Sequence, residues 1–93
     1  MFVTVRFDSE RTIVPLGASD NKKTAQDIMA EDFKKWFEEK YNHEMKERNL
    51  TFDEMFKEVN ESDECDFLED SAYLNECNHV DFDWSIIDTD NID

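Results

Sequence analysis

The sequence predicts an α+β fold in which a small antiparallel sheet packs on one long helix. Three observations lead to this prediction: a β-branched and aromatic segment at the start, a long stretch with helical periodicity, and a strictly alternating segment near the end. A chain of 93 residues has the length of one domain, residues 1–93, and 39% apolar residues suffice for a packed core. The sheet should combine an N-terminal hairpin with the C-terminal strand, and one or two short helices should lie between.

A β-hairpin is predicted for residues 2–16. Phe2–Phe7 is rich in β-branched and aromatic residues, and a second such segment follows a short polar link. Pro15 has no N–H to donate to a ladder, so the second strand should be an edge strand or end there. Gly17, the only glycine, is predicted to mark the exit.

A long helix is predicted for residues 20–48. Apolar residues recur there at the three-and-four spacing of one helical face: Ala25, Ile28, Met29, Phe33, Trp36, Phe37, Tyr41 and Met45. The other face carries opposite charges four residues apart, which stabilise a helix by a few tenths of a kcal/mol per pair. These pairs are Glu31 with Lys35, Lys34 with Glu38, Lys35 with Glu39, and Glu44 with Arg48.

A short helix is predicted for residues 51–61. Thr51 and Glu54 have the spacing of a capping box, and Leu50 with Met55 fits a hydrophobic staple. Residues 63–78 mix apolar positions with acids without a clean period, and they are predicted to form one or two helical turns within a loop.

A strand is predicted for residues 79–87, joining the N-terminal hairpin as its third strand. Val80, Phe82, Trp84 and Ile86 alternate with polar residues, as in a half-buried strand. The acidic tail, residues 88–93, is expected to fray.

The net charge of −15 is concentrated in the C-terminal part of the chain. Residues 1–50 hold 10 acids and 9 bases, whereas residues 51–93 hold 15 acids and the single base Lys57. Such a field repels DNA, RNA and anionic membranes and attracts basic clefts, so direct nucleic-acid or membrane binding is not expected. Solubility alone requires a net charge of only about 2 to 8. The excess is therefore interpreted as functional.

Catalytic, metal and cofactor sites are not expected. His43 and His79 have no sequence neighbour that suggests a catalytic dyad, and one glycine cannot build a phosphate-binding loop. An EF-hand loop starting at Asp81 would place Ile86 where glycine is required and Ile92 where glutamate is required. No CxxC-type spacing supports a zinc site from Cys65, Cys77 and His79. Unpatterned binding of divalent cations by crowded carboxylates stays open as an alternative.

The expected compartment is the cytoplasm, because no signal-peptide pattern and no membrane-spanning stretch is visible. In that compartment Cys65 and Cys77 are expected to be reduced rather than joined in a disulfide.

The acids interleaved with aromatic residues form the predicted partner-binding site. On a strand, residues two apart project from the same face about 6.6 to 6.8 Å apart, so Asp81 and Asp83 would form a short row of negative charge. Arginine grips carboxylate and phosphate alike through paired hydrogen bonds. The predicted site comprises Asp63, Glu64, Asp66, Glu69, Asp70, Glu76, Asp81, Asp83, Asp88 and Asp90.

In size, charge and the acidic segment from Asp53 to Asp93, the chain resembles the small DNA-mimic inhibitors that phages encode, including anti-CRISPR, anti-restriction and uracil-DNA glycosylase-inhibiting proteins. The resemblance implies a non-enzymatic inhibitor acting in the host cytoplasm, as a monomer or small homo-oligomer. Its partner would be a basic nucleic-acid-binding protein or nucleoprotein complex, with a host-defence nuclease favoured. The main alternative resembles barstar and the colicin immunity proteins, which are immunity proteins or antitoxins that neutralise a nuclease.

Overall fold

Five antiparallel strands in the order β2-β1-β5-β4-β3 form one sheet that packs against two helices. The computed structural model describes residues 1–8, 12–76 and 79–91. The elements are β1 (Phe2–Phe7), β2 (Ile13–Ser19), α1 (Lys22–Arg48), α2 (Phe52–Glu61), β3 (Cys65–Phe67), β4 (Ser71–Glu76), β5 (His79–Asp88) and a 3₁₀ turn (Thr89–Asn91). The predicted α+β class is confirmed.

The N-terminal hairpin forms as predicted, with β2 at the edge of the sheet. The exit was placed too early, because β2 continues through Gly17 to Ser19. Gly17 pairs with Thr4, and a Cβ atom there would lie 3.0 Å from Cδ1 of Ile28 on α1. The glycine therefore lies within the strand and allows close approach of the long helix, and it does not mark the exit.

The long helix and the capped short helix are confirmed. The Oδ1 atom of Asn21 accepts hydrogen bonds from the first turn of α1, and Asn49 ends the helix in the left-handed conformation with φ of 54°. At α2 the backbone N–H of Glu54 donates to Thr51 Oγ1 over 3.2 Å, and the Thr51 N–H donates to the Glu54 carboxylate over 3.0 Å. This is the capping box expected from the sequence.

The prediction for residues 63–78 was wrong, since a β-hairpin replaces the expected helical turns up to Glu76. β3 pairs with β4, and Cys65, Phe67, Ala72 and Leu74 turn toward the helices. Alternation was hard to detect because β3 has only three residues and the turn at residues 68–70 interrupts the pattern. Residues 77 and 78 lie outside the described part of the chain.

The C-terminal strand lies between β1 and β4, beside the N-terminal hairpin as predicted. Trp84 is 1% exposed and its ring packs edge-on against Phe33 of α1. The tail does not fray from Asp88 onward: β5 includes Asp88, and the Thr89 N–H donates to the Met1 carbonyl over 2.9 Å. Asn91 ends the described tail, so the expectation for residues 92 and 93 lies outside the described residues.

The first strand turns its polar residues toward the helix. Thr4 Oγ1 donates to the Ala25 carbonyl over 3.1 Å, and Arg6 pairs with Asp32 at 2.7 Å, although β1 is otherwise apolar. Asp32 also accepts a 2.8 Å hydrogen bond from Trp84 Nε1. Because side chains alternate along a strand, Val3, Val5 and Phe7 lie on the opposite face.

We call that opposite side the open face, because both helices pack on the other side of the sheet and no other described helix or strand covers it. Strand register divides it into two parts. The apolar half comprises Met1, Val3, Val5, Phe7, Ile13, Pro15, Ala18 and Ile87. The polar half comprises Asp66, Ser71, Tyr73, Asp83 and Ser85.

Candidate functional site

The ten predicted acids are divided by the fold among three places. Asp63, Glu64 and Asp66 follow α2 and enter β3. Glu69 and Asp70 belong to the β3–β4 turn, and Asp88 and Asp90 to the end of β5 and the 3₁₀ turn after it. The two regions meet where the Ile86 N–H donates to the Asp70 carbonyl over 2.9 Å. Glu76, Asp81 and Asp83 belong to β4 and β5. The side chains of Glu76 and Asp81 lie outside the described part of the structure, and with them the predicted row of Asp81 and Asp83.

Two predicted acids share a cross-strand row on the open face. Asp66 pairs with Tyr73, and Tyr73 pairs with Asp83 on the next strand. Neighbouring strands lie about 4.7 to 4.9 Å apart, so the backbones that carry the two carboxylates are about 9 to 10 Å apart. Desolvation and then the charge of Asp66 raise the pKa of the Tyr73 hydroxyl between them. This row was not predicted, because it depends on the β3–β4 hairpin.

Asp66 also protects an exposed sheet edge. Its Oδ1 accepts hydrogen bonds from the Phe67 N–H at 2.8 Å and from Asn60 Nδ2 at 3.2 Å. Asn60 Nδ2 donates in addition to the Cys65 carbonyl at 2.9 Å. These bonds occupy backbone groups that point away from β4, so they oppose pairing of β3 with another strand. Asp66 thus has a structural role besides any role in binding.

Glu69 and Asp70 are held by a base from the N-terminal half. Lys22 Nζ lies 3.1 Å from Glu69 and 3.0 Å from Asp70, which joins the β3–β4 turn to the first turn of α1. The hydrogen bond that Lys22 donates to Asp70, followed by the one it donates to Glu69, raises the pKa of Lys22. These two carboxylates are partly neutralised, which the local sequence could not indicate.

Asp88, at the end of β5, and Asp90, in the 3₁₀ turn after it, also have partners. The Asp90 carboxylate lies 2.6 Å from the amino group of Met1, and this hydrogen bond is the largest cause that raises the pKa of that amine. Asp88 accepts from the Asp90 N–H over 3.0 Å. These contacts fix the tail against the start of β1.

The acids of α2 divide into structural and exposed members. Glu54 belongs to the capping box, and Glu58 pairs with Arg48 at 2.7 Å. Hydrogen bonds from the Thr51 backbone and from Arg48, respectively, hold the pKa of Glu54 and that of Glu58 below their usual range. Asp53 and Glu61 are exposed and add to the acidic surface, although they were not among the ten predicted residues. Asp63 is exposed just after α2, with φ of 61°.

Other candidate chemistry gains no geometric support from the described residues. Cys65 is fully buried, and burial raises the pKa of its thiol to about 11. Cys77 lies outside the described residues, and with it the expectation that the two cysteines are not joined in a disulfide. His43 is exposed, 3.4 Å from Glu47 on the same helix. Within residues 1–8, 12–76 and 79–91, no three His, Cys, Asp or Glu residues are grouped so that they could hold a metal ion. No helix in these ranges is long and apolar enough to cross a membrane.

The molecule is elongated, and its charge is high for its length. Its principal extents are 47 × 27 × 19 Å, and its radius of gyration of 14.0 Å exceeds the roughly 12 Å typical of 93 residues. Dividing the net charge of −15 by the longest extent of 47 Å gives one charge per 3.1 Å, and most of that charge belongs to residues 51–93. One strand of DNA carries one charge per about 3.4 Å of helix axis.

Comparison with protein-family models, with curated proteins and with solved structures found no match to this chain.

Proposed function

We propose that this chain is a non-enzymatic inhibitor that occupies a basic nucleic-acid-binding site of a partner protein, presenting carboxylates where nucleic acid presents phosphates. The observation that carries the proposal is the concentration of negative charge, since residues 51–93 hold 15 acids and one base in a chain with a net charge of −15. A basic cleft that releases counterions on binding phosphates would gain similarly from these carboxylates.

The positions of the acids support this proposal. Asp66 and Asp83 lie on paired strands of a hydrogen-bonded sheet, and Asp53 and Glu61 lie on a capped helix. Carboxylates held on such elements lose little conformational entropy on binding, so more of the contact energy contributes to affinity. The N-terminal half supplies the long helix of the core, while most of the net charge belongs to residues 51–93.

The favoured partner is a nuclease or nucleoprotein complex of a host-defence system, of the anti-CRISPR or anti-restriction type. An immunity protein that neutralises a toxin nuclease would use the same surface and mechanism. Purification of bound proteins with the tagged chain, followed by competition with duplex DNA for the recovered partner, distinguishes these cases by the partner's identity. Failure of DNA to displace the protein from that partner would contradict both.

Matched variants test where the acidic contact lies. Asp63→Asn with Asp83→Asn removes two carboxylates of the predicted site, and asparagine tolerates the left-handed backbone of residue 63. Glu31→Gln with Glu39→Gln removes two exposed carboxylates from α1, where charges are balanced. We expect the first pair to weaken binding, measured by calorimetry, at least several-fold more than the second. Equal losses would show that net charge alone matters and that the predicted site does not.

A further inference from the structure

The first strand has an unusual distribution of polar and apolar residues. Thr4 is fully buried and Arg6 largely buried, and both bond to α1 across the interior. Val3 and Phe7 lie instead on the open face, where each is only half-buried, while Val5 between them is 5% exposed. Most polar side chains are exposed and most large apolar side chains are buried, so buried polar groups beside an exposed apolar patch call for an explanation. The departure indicates that the open face of β1 serves a purpose other than contact with water.

The neighbouring strands extend this apolar surface. Across β1, Phe7 pairs with Ile13 and Val5 with Pro15, while Val3 pairs with Ile87. Of the four large apolar side chains found exposed among the described residues, three belong to the apolar half: Met1 at 46%, Ile13 at 59% and Ile87 at 37%. Contiguous exposed apolar surface of this kind marks interaction sites.

The charge of the molecule indicates what covers this surface. Two copies of a chain with a net charge of −15 repel each other, which opposes face-to-face association of two sheets. The apolar half adjoins Asp83, which pairs with Phe7, and Asp66 lies two strands beyond in the same row. A surface with an apolar centre and a Lys- or Arg-rich border would match both halves.

We propose that the open face is a docking surface for a protein whose apolar patch covers the apolar half while its basic border contacts Asp66 and Asp83. The basic character of the partner rests on the proposed function. The inference adds to it that the partner also makes an apolar contact. Screening by salt weakens the acidic contact but leaves the apolar contact largely intact. Binding should therefore retain a component that salt does not remove.

The probe is a synthetic amphipathic helical peptide of leucine and lysine, compared with a peptide in which alanine replaces each leucine. We expect the leucine peptide to shift the backbone amide resonances of Val3, Ile13 and Ile87 and to stay bound at high salt. Replacing Ile13 and Ile87 together by threonine, which retains strand preference, should weaken its binding about tenfold. The control Leu68→Thr removes an exposed leucine from the β3–β4 turn and should leave binding unchanged.

Two results would overturn the inference. Equal binding of the alanine peptide, with shifts confined to acidic residues, would show that only charge is recognised, and it would leave the proposed function standing. Self-association in analytical ultracentrifugation that Ile13→Thr with Ile87→Thr abolishes would identify a second copy as the occupant. Failure of the proposed function has a different signature, since duplex DNA would then not displace the protein from its partner.

Discussion

Asp32 joins three elements through one carboxylate. Its Oδ2 accepts from Arg6 of β1 at 2.7 Å and from Trp84 Nε1 of β5 at 2.8 Å. The guanidinium of Arg6 lies 4.8 Å from the ring centroid of Trp36, so its charge also contacts an aromatic face. The side chains of both Arg6 and Asp32 are about 15% exposed, and water therefore compensates poorly for the loss of either one.

Replacing Asp32 by alanine should destabilise the fold by about 3 kcal/mol, because it leaves a largely buried guanidinium and an indole N–H without their acceptor. Chemical denaturation monitored by tryptophan fluorescence measures this loss. The control is Asp27→Ala, which removes an exposed partner of Lys23 on the same helix and should change stability by less than about 0.5 kcal/mol. Similar values for the two variants would show that the Asp32 network contributes little.

The β3–β4 hairpin is held by contacts with distant parts of the chain that its own sequence does not indicate. Its turn is fastened to α1 by Lys22, 47 residues before Glu69, and its edge is closed by Asn60. Lys40 of α1 also donates to the Asn75 carbonyl of β4, whereas the base that contacts the turn itself is Lys22. The turn should therefore loosen when that base is removed.

Lys22→Met should speed amide hydrogen exchange at Leu68, whose N–H donates to the Ser71 carbonyl over 2.7 Å, several-fold relative to the unmodified chain. Lys23→Met is the matched control, since it removes the same charge while its partner Asp27 lies within α1. Exchange at Leu68 should be unchanged in that variant. If both substitutions accelerate exchange equally, net charge and not the specific contact holds the turn.

Long, strongly patterned elements could be predicted from the sequence, and contacts between distant segments could not. The apolar spacing around Phe33 and Phe37, and the Thr51 capping box, are local signals, and both elements formed as expected. The hairpin at β3 has three residues and no comparable signal. The partners of Glu69 and Asp70, and the burial of Thr4 and Arg6, depend on residues at least 21 positions away. The composition of the C-terminal segment therefore predicted an acidic site, whereas the division of its acids among three places depends on the fold.

At the scale of the whole molecule, charge acts in opposite directions on folding and on binding. The excess of 15 acids over bases makes the compact state repel itself, while the same excess attracts a basic partner. Salt screens both interactions, with a Debye length that falls from about 30 Å at 0.01 M to about 8 Å at 0.15 M. The molecule's extents of 47 × 27 × 19 Å place many of its charges within the longer of these distances.

The melting temperature should therefore rise by several degrees as sodium chloride increases from about 0.01 M to about 0.15 M, because screening relieves repulsion more than it weakens the surface ion pairs, each of which contributes little. Affinity for the basic partner should fall over the same range. Differential scanning calorimetry measures the first trend and isothermal titration the second. Asp63→Asn with Asp83→Asn should show a smaller rise in melting temperature than the unmodified chain, since it has two fewer charges to screen. A melting temperature that falls with salt would mean that ion pairs such as Arg48 with Glu58 outweigh the self-repulsion of the acidic segment.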